Sequence, residues 1–171
     1  APLLLDCAAW GVTDPATLRW LDPPATGAVE AARDELRALA AIDAGGALTE
    51  MGRRLRSLPL PPRLARMVLA SAAIGQANIA CEIAAILVER GLGGPSPDLE
   101  DRLRHFRQDR SPRAESMRRL AKDWARSARD IGKAATPQDW PCSAAALLAL
   151  AFPDRIAMSR GPVGSFVLAN G

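Results

Sequence analysis

The stretch of residues 36–67 constrains the fold most, because its glycines and prolines restrict where helices can begin and end. An apolar stripe at helical spacing runs into this stretch and predicts a helix that ends before Asp43. Gly45 and Gly46 tolerate the backbone angles of a tight turn, and Thr49 is placed to cap the next helix. The stripe consists of Val29, Ala32, Leu36 and Leu39.

Three prolines limit the helix that follows Thr49. Pro59 and Pro61 disfavour helical backbone in the residues before them, so this helix has to end by Leu58. Pro62 suits the first turn of a further helix. The stretch therefore predicts the order helix, turn, helix, stop, helix.

Caps and stops place the remaining elements coarsely. Two tryptophans, Trp10 and Trp20, are predicted to pack inside. Two short strands are predicted within residues 155–169, around Gly161 and Gly164. The other predicted helices span residues 3–9, 15–21, 62–73 and 77–89, a segment after Asp98, a longer one opening at Ser111 and Pro112, and residues 143–151. The predicted buried stripe of the longer helix consists of Met117, Leu120, Trp124 and Ile131.

The length suits one domain or two small ones, and the composition favours a mainly α fold with a real core. Hydrophobic residues make up 49% of the 171 residues, while aromatic residues make up only 4% and tyrosine is absent. Alanine is a strong helix former and lets helices approach closely, so we expect a core of leucine, isoleucine and alanine. The chain is therefore predicted to form a helical bundle that ends in a short β-hairpin.

Positive charge is concentrated in one segment. Residues 102–133 contain eleven basic and four acidic side chains, a net of +7, which leaves −4 for the other residues because the whole chain carries +3. Such a patch attracts phosphates and makes binding salt-dependent. The plainer interpretation is a solvated helical face whose carboxylates neutralise the arginines. The best candidates for phosphate contact are Arg107, Arg110 and Arg113, followed by Arg118, Lys122 and Arg126.

An ordered set of motifs resembles the region that follows the motor domains of DEAH-box helicases, and the likeness is strongest with the bacterial HrpB branch of that family. One motif is the run of residues 58–67, which resembles the family's Leu-Pro-Leu-x-Pro-x-Leu-Ala-x-Met. Further matching positions are Pro23, Pro24, Leu36, Leu39, Asp43, Gly46, Leu48, Thr49, Gly52 and Leu55, with the segments 5–11, 89–94, 106–113 and 152–157.

The resemblance implies a winged-helix domain in residues 1–60, a ratchet-like helical bundle in 61–152, and a hairpin in 153–171 that begins a following domain. It implies an accessory piece of a longer protein that couples ATP hydrolysis to movement along RNA or DNA. This piece would close the nucleic-acid channel and contact the single strand. The resemblance also favours strand binding, rather than a solvated face, as the role of the basic helices. The partners implied are single-stranded RNA or DNA and the parent's own motor domains.

No motif of the chain predicts catalysis or a bound cofactor. It has neither a phosphate-binding loop nor an Asp-Glu-Ala-His quartet, so we expect no ATP hydrolysis by the chain alone and place ATP and magnesium in the parent's motor domains. Cys7, Cys81 and Cys142 form no Cys-x-x-Cys pair, and His105 is the single histidine, so no metal site is predicted. Cys81 is predicted to be a core residue, as suits a reducing cytoplasm. No membrane segment is expected.

Two other classes of protein fit parts of the sequence. The first is a free-standing winged-helix DNA-binding regulator, whose helix 49–57 would enter a major groove with Arg53, Arg54 and Arg56. The second is an α-helical scaffold that binds acidic protein surfaces through the basic patch. Salt-sensitive binding to protein rather than to an oligonucleotide would separate the scaffold from the strand-binding interpretation.

Overall fold

The structure, a computed structural model, describes residues 1–132, 143–161 and 164–169. Its elements confirm the mainly α fold with a terminal hairpin. The helices are α1 (Pro2–Ala9), α2 (Thr26–Ala38), α3 (Glu50–Arg56), α4 (Pro62–Ala73), α5 (Ala77–Val88), α6 (Leu99–Gln108), α7 (Pro112–Gly132) and α8 (Ala144–Ala151), with 3-10 turns at Pro15–Thr17 and Pro153–Arg155. The strands are β1 (Ala157–Ser159) and β2 (Phe166–Leu168).

The chain divides into two compact units, Ala1–Arg66 and Met67–Gly171, with the boundary inside α4. The predicted division into three domains, residues 1–60, 61–152 and 153–171, stays a prediction. Within the described residues, no helix combines the length and the apolarity needed to cross a bilayer.

The first unit is organised around the turn between α2 and α3. Ile42 and Leu48 form an antiparallel bridge across this turn. The Thr49 hydroxyl accepts a hydrogen bond from the Gly52 amide at 3.0 Å and donates one to the Ala40 carbonyl at 2.6 Å. The predicted cap is therefore confirmed, and it ties the start of α3 to the end of α2. Helix α1 packs against both α2 and α3.

The second unit is organised around α5, against which α6, α7 and α8 pack. The helices begin at the predicted caps: Asp98 accepts hydrogen bonds from the first turn of α6, and Ser143 accepts one from the first turn of α8. The core of this unit is rich in alanine, as the composition suggested. Its buried alanines include Ala80, Ala84 and Ala85 of α5 and Ala114, Ala121, Ala125 and Ala128 of α7.

Three predictions about the core or the helices were wrong. The predicted helix 15–21 is only a 3-10 turn at Pro15–Thr17, because the backbone at Leu18 is extended. Trp10 lies at the end of α1 with 75% of its surface exposed. Leu120 is exposed because the face of α7 that turns towards the core carries Trp124 and several alanines instead. Close packing on α5 favours the smaller residues.

The predicted hairpin is confirmed, with Met158 opposite Val167 in antiparallel register. Both strands are exposed along their length. Residues 162 and 163 of the connecting turn lie outside the described residues, as does Cys142. Cys81 is buried in α5 as predicted, and burial raises the pKa of its thiol to about 12.

Candidate nucleic-acid interface

Helices α5 and α7 run antiparallel, and side chains at both ends show this. At one end, Arg129 of α7 donates to Asn78 Oδ1 near the start of α5 at 2.5 Å. At the other end, Arg113 pairs with Glu89, just past the end of α5. Helix α7 therefore lies along the whole length of α5.

A groove of about 360 Å³ lies between these two helices. Four of its lining residues are cations on α7, separated by four, four and three residues, which places them on one face of the helix. The groove is lined by Asn78, Glu82, Arg118, Ala121, Lys122, Arg126 and Arg129. Its lining thus combines four basic side chains with one carboxylate.

Several of the groove cations are held in place by neighbouring groups. Arg118 donates to the Phe106 carbonyl at 2.5 Å and lies over the Phe106 ring, 5.7 Å from its centre. Arg126 lies 3.4 Å from Asp123 on its own helix and remains well exposed. A guanidinium carries five N–H donors, so each arginine keeps donors for a bound anion. Lys122 is also exposed.

Arg107 and Glu82 form an ion pair next to the groove. Both Nε and Nη2 of Arg107 donate to Glu82 Oε2, at 2.9 and 2.6 Å. The pair links α6 to α5. Arg107 therefore sits beside the groove, but its guanidinium is already engaged with a carboxylate of the groove wall.

The other two leading candidates lie elsewhere. Arg113 is engaged by Glu89 and by the Arg90 carbonyl, and Arg110 is exposed in the turn between α6 and α7. Neither residue lines the groove. The structure therefore brings together Arg118, Lys122 and Arg126 and leaves Arg110 and Arg113 apart from them.

Three polar or charged residues of the groove were not among the predicted site residues: Asn78, Glu82 and Arg129. Arg129 follows Arg126 by three residues, so helical spacing alone could have found it. Asn78 and Glu82 belong to α5, whose sequence is otherwise apolar. Only the tertiary packing of α5 on α7 places them in the groove.

A hydrogen-bonded carboxylate fixes the turn between α6 and α7. The Ser111 amide donates to Asp109 Oδ1 at 2.8 Å. This bond, with help from the Ser111 hydroxyl and the nearby Arg118, lowers the pKa of Asp109. The turn sets where α7 starts relative to α6, and so it helps to position Arg118.

The arginines of α3 show a different arrangement. Arg53 pairs with Glu50 at 3.1 Å on the same helix, and Arg56 pairs with Asp6 of α1 at 2.8 Å. Glu50 and Asp6 thus neutralise part of the charge that a regulator would need in a major groove.

A short helix-turn-helix segment with one β-bridge across its turn, followed by a bundle with a basic groove, fits a helicase-associated region. The winged-helix helicase-associated domain (HA2) matches residues 32–60. The match covers the turn, the Thr49 cap and Pro59, the first of the three prolines that follow α3.

The chain is 33% identical, over 99% of its length, to the ATP-dependent RNA helicase HrpB of Escherichia coli K12, and covers 19% of that protein. A crystal structure of E. coli HrpB superposes with a TM-score of 0.74 at 32% identity, over 99% of this chain and 19% of that one. The splicing-factor RNA helicase prp22 of Schizosaccharomyces pombe is 32% identical over 49% of the chain, which covers 7% of it. These matches identify the chain as a C-terminal region of the DEAH-box helicase family. It spans about a fifth or less of the length of these relatives.

Proposed function

We propose that the chain is a non-catalytic accessory region of an ATP-dependent helicase, which closes the nucleic-acid channel and holds a passing single strand by its phosphates. The observation that carries this proposal is the groove beside α7, where Arg118, Lys122, Arg126 and Arg129 lie on one helical face. No comparable alignment of cations is found on α3, where Arg53 and Arg56 pair with carboxylates.

The dimensions of this face suit a phosphate backbone. From Arg118 to Arg129 the helix rises roughly 17 Å at 1.5 Å per residue. A stacked strand advances about 3.4 Å along its helix axis per nucleotide, so this length spans several nucleotides. Among the described residues, the groove lining contains no aromatic side chain on which a base could stack. Binding through the backbone therefore favours recognition of a strand irrespective of its sequence.

The names of the relatives support a parent protein that works on RNA. HrpB and prp22 are both named as ATP-dependent RNA helicases. We place ATP, magnesium and hydrolysis in the motor domains of such a parent, which would be the chain's other partner. A cytoplasmic location accords with the two buried free cysteines, Cys7 and Cys81.

The proposal is tested by binding of a labelled oligouridine of about twelve nucleotides, a length within the usual site sizes. Affinity is measured between about 50 and 200 mM salt for the wild type and for K122Q/R126Q. Loss of two phosphate contacts should weaken binding at low salt and reduce the slope of log affinity against log salt by about 1.4. A DNA oligonucleotide run in parallel shows which strand is preferred.

The matched control is R119Q. Arg119 is an exposed arginine on the same helix, bonded to Ser116 and outside the groove lining. R119Q and R126Q change the net charge equally. Because only Arg126 lines the groove, R126Q should weaken binding more than R119Q does. Equal effects, or unchanged affinity in K122Q/R126Q, would contradict the proposal. Arg107 and Arg113 are unsuitable for this test because their ion pairs contribute to the fold.

A further inference from the structure

Among the described residues that line the groove, Glu82 is the one carboxylate. Its side chain is 24% exposed, and it accepts both hydrogen bonds of Arg107 on a single oxygen. The groove wall therefore presents a negative charge at the place where the proposed strand carries its own negative charges. The same carboxylate keeps the nearest further cation, Arg107, engaged within the protein.

We infer that Glu82 is an affinity-limiting residue of the groove, which weakens the hold on a phosphodiester strand by repelling it and by withholding Arg107. This inference rests on the proposed strand-binding function and adds a regulation of the same site. It predicts that the wild-type groove binds a strand less tightly than its four lining cations and the adjacent Arg107 would allow without Glu82.

The chemistry explains why one carboxylate has two effects. A carboxylate within several ångströms of a phosphate raises the free energy of the bound state by direct repulsion. Arg107 can approach a phosphate only if its guanidinium leaves Glu82, which exchanges one charged acceptor for another with little gain. A strand that has to move through the groove benefits from this weak hold, because each phosphate must leave its cation before the next one arrives.

The test uses E82Q in the same oligouridine titration. Glutamine has nearly the same shape and retains an oxygen that can accept from Arg107, but it carries no charge. E82Q should bind about threefold to tenfold more tightly at low salt. Its salt slope should be steeper by about 0.7, as expected for one additional phosphate contact.

Two further variants separate this mechanism from a change in net charge. E115Q removes an exposed carboxylate of α7 that lies outside the groove lining, so its affinity should stay close to that of the wild type. In E82Q/R107Q the released cation is gone, so the salt slope should return towards the wild-type value. Thermal unfolding of each variant checks that the bundle remains folded.

The outcomes distinguish this inference from the proposed function. If K122Q/R126Q weakens binding but E82Q binds no more tightly than the wild type or E115Q, the inference fails and the proposed function stands. If neither the wild type nor E82Q binds at low salt, both fail. If E82Q binds where the wild type does not, the inference is supported.

Discussion

At Gly52, helix α3 approaches the preceding segment so closely that there is no space for a side chain. A Cβ atom at this position would overlap the carbonyl oxygen of Ala41 and would lie 2.6 Å from Leu48 Cδ1. The glycine of the Gly-x-x-Leu motif is therefore required by packing and not by an unusual backbone angle. It allows the Thr49 cap and the bridge at Leu48 to form together.

We predict that Gly52→Ala lowers the free energy of unfolding by about 2 to 3 kcal/mol, because the backbone has to shift to relieve the overlap. Urea unfolding measures this change. Gly27→Ala is the matched control, since Gly27 also lies in the first turn of a helix but has no atom within 4 Å of an added Cβ. A loss no larger in Gly52→Ala than in the control would show that the approach is not tight.

Ala40 is the opposite case to Gly52, because here an alanine occupies a backbone conformation that suits glycine better. Its φ is 54°, in the left-handed region. The Ala41 amide donates to the Leu36 carbonyl and the Ala40 amide donates to the Arg37 carbonyl, each at 2.8 Å. These two bonds form a Schellman motif, in which the left-handed residue is usually glycine.

Ala40→Gly should therefore raise the free energy of unfolding by about 0.5 to 1 kcal/mol, because the strain of a Cβ at positive φ exceeds the extra entropy of an unfolded glycine. The expected gain in melting temperature is about 1 to 4 °C for a chain of this size. A lower melting temperature would contradict the strain that we assign to Ala40.

At the scale of the elements, the starts of helices could be predicted from the sequence, but which side chains of a helix are buried by tertiary packing could not. The caps at Thr49, Asp98 and Ser143 were found from the sequence because a capping residue acts within three residues of itself. The failure at Leu120 has a different origin. Both Leu120 and Ala121 fit an amphipathic helix, and only the close packing of α5 on α7 decides that the alanine is buried.

The turn between α6 and α7 should carry a pH-dependent part of the stability. The folded pKa of Asp109 is lowered, mainly by the Ser111 amide. The unfolded chain therefore binds a proton more readily than the folded one, so this contribution is present above the unfolded pKa of about 3.9 and is lost as pH falls through the folded pKa. As pH falls through this acidic range, Asp109→Asn should lose less free energy of unfolding than the wild type does.

Urea midpoints measured across the acidic range test this prediction. Ser111→Ala is the control, because it removes the hydroxyl but keeps the backbone amide, which is the larger cause of the lowered pKa. It should lose stability, since the hydroxyl also accepts from the Ala114 amide, yet retain most of the acid dependence. If Asp109→Asn and the wild type have the same acid dependence, Asp109 does not control it.

At the scale of the whole molecule, the family resemblance was predictable, but the groove was predictable only in part. The resemblance came from motifs along nearly the whole chain, and the relatives confirm it. Helical spacing placed Arg118, Lys122 and Arg126 on one face. The ion pairs of Arg107 with Glu82 and of Arg113 with Glu89 join residues about 25 positions apart, a distance that local spacing does not reveal.

The division of charge in the molecule follows from these ion pairs. Glu82 of α5 and Glu89, just past its end, pair with Arg107 and Arg113. Four cations of α7 face the groove, and of these Arg126 is near a carboxylate of its own helix, Asp123. Under the proposed function, this face of α7, and not α3 or the hairpin, meets the strand.

The most direct test is an NMR titration of the isotope-labelled chain with oligouridine, which follows the backbone amides at low salt. We expect the largest shifts along α7 between Arg118 and Arg129 and around Asn78, with all of them reversed by added salt. Shifts confined to Glu50–Arg56 would instead indicate a winged-helix DNA-binding mode. Shifts confined to the hairpin, or none at all, would contradict the assignment of the α7 groove to a single strand.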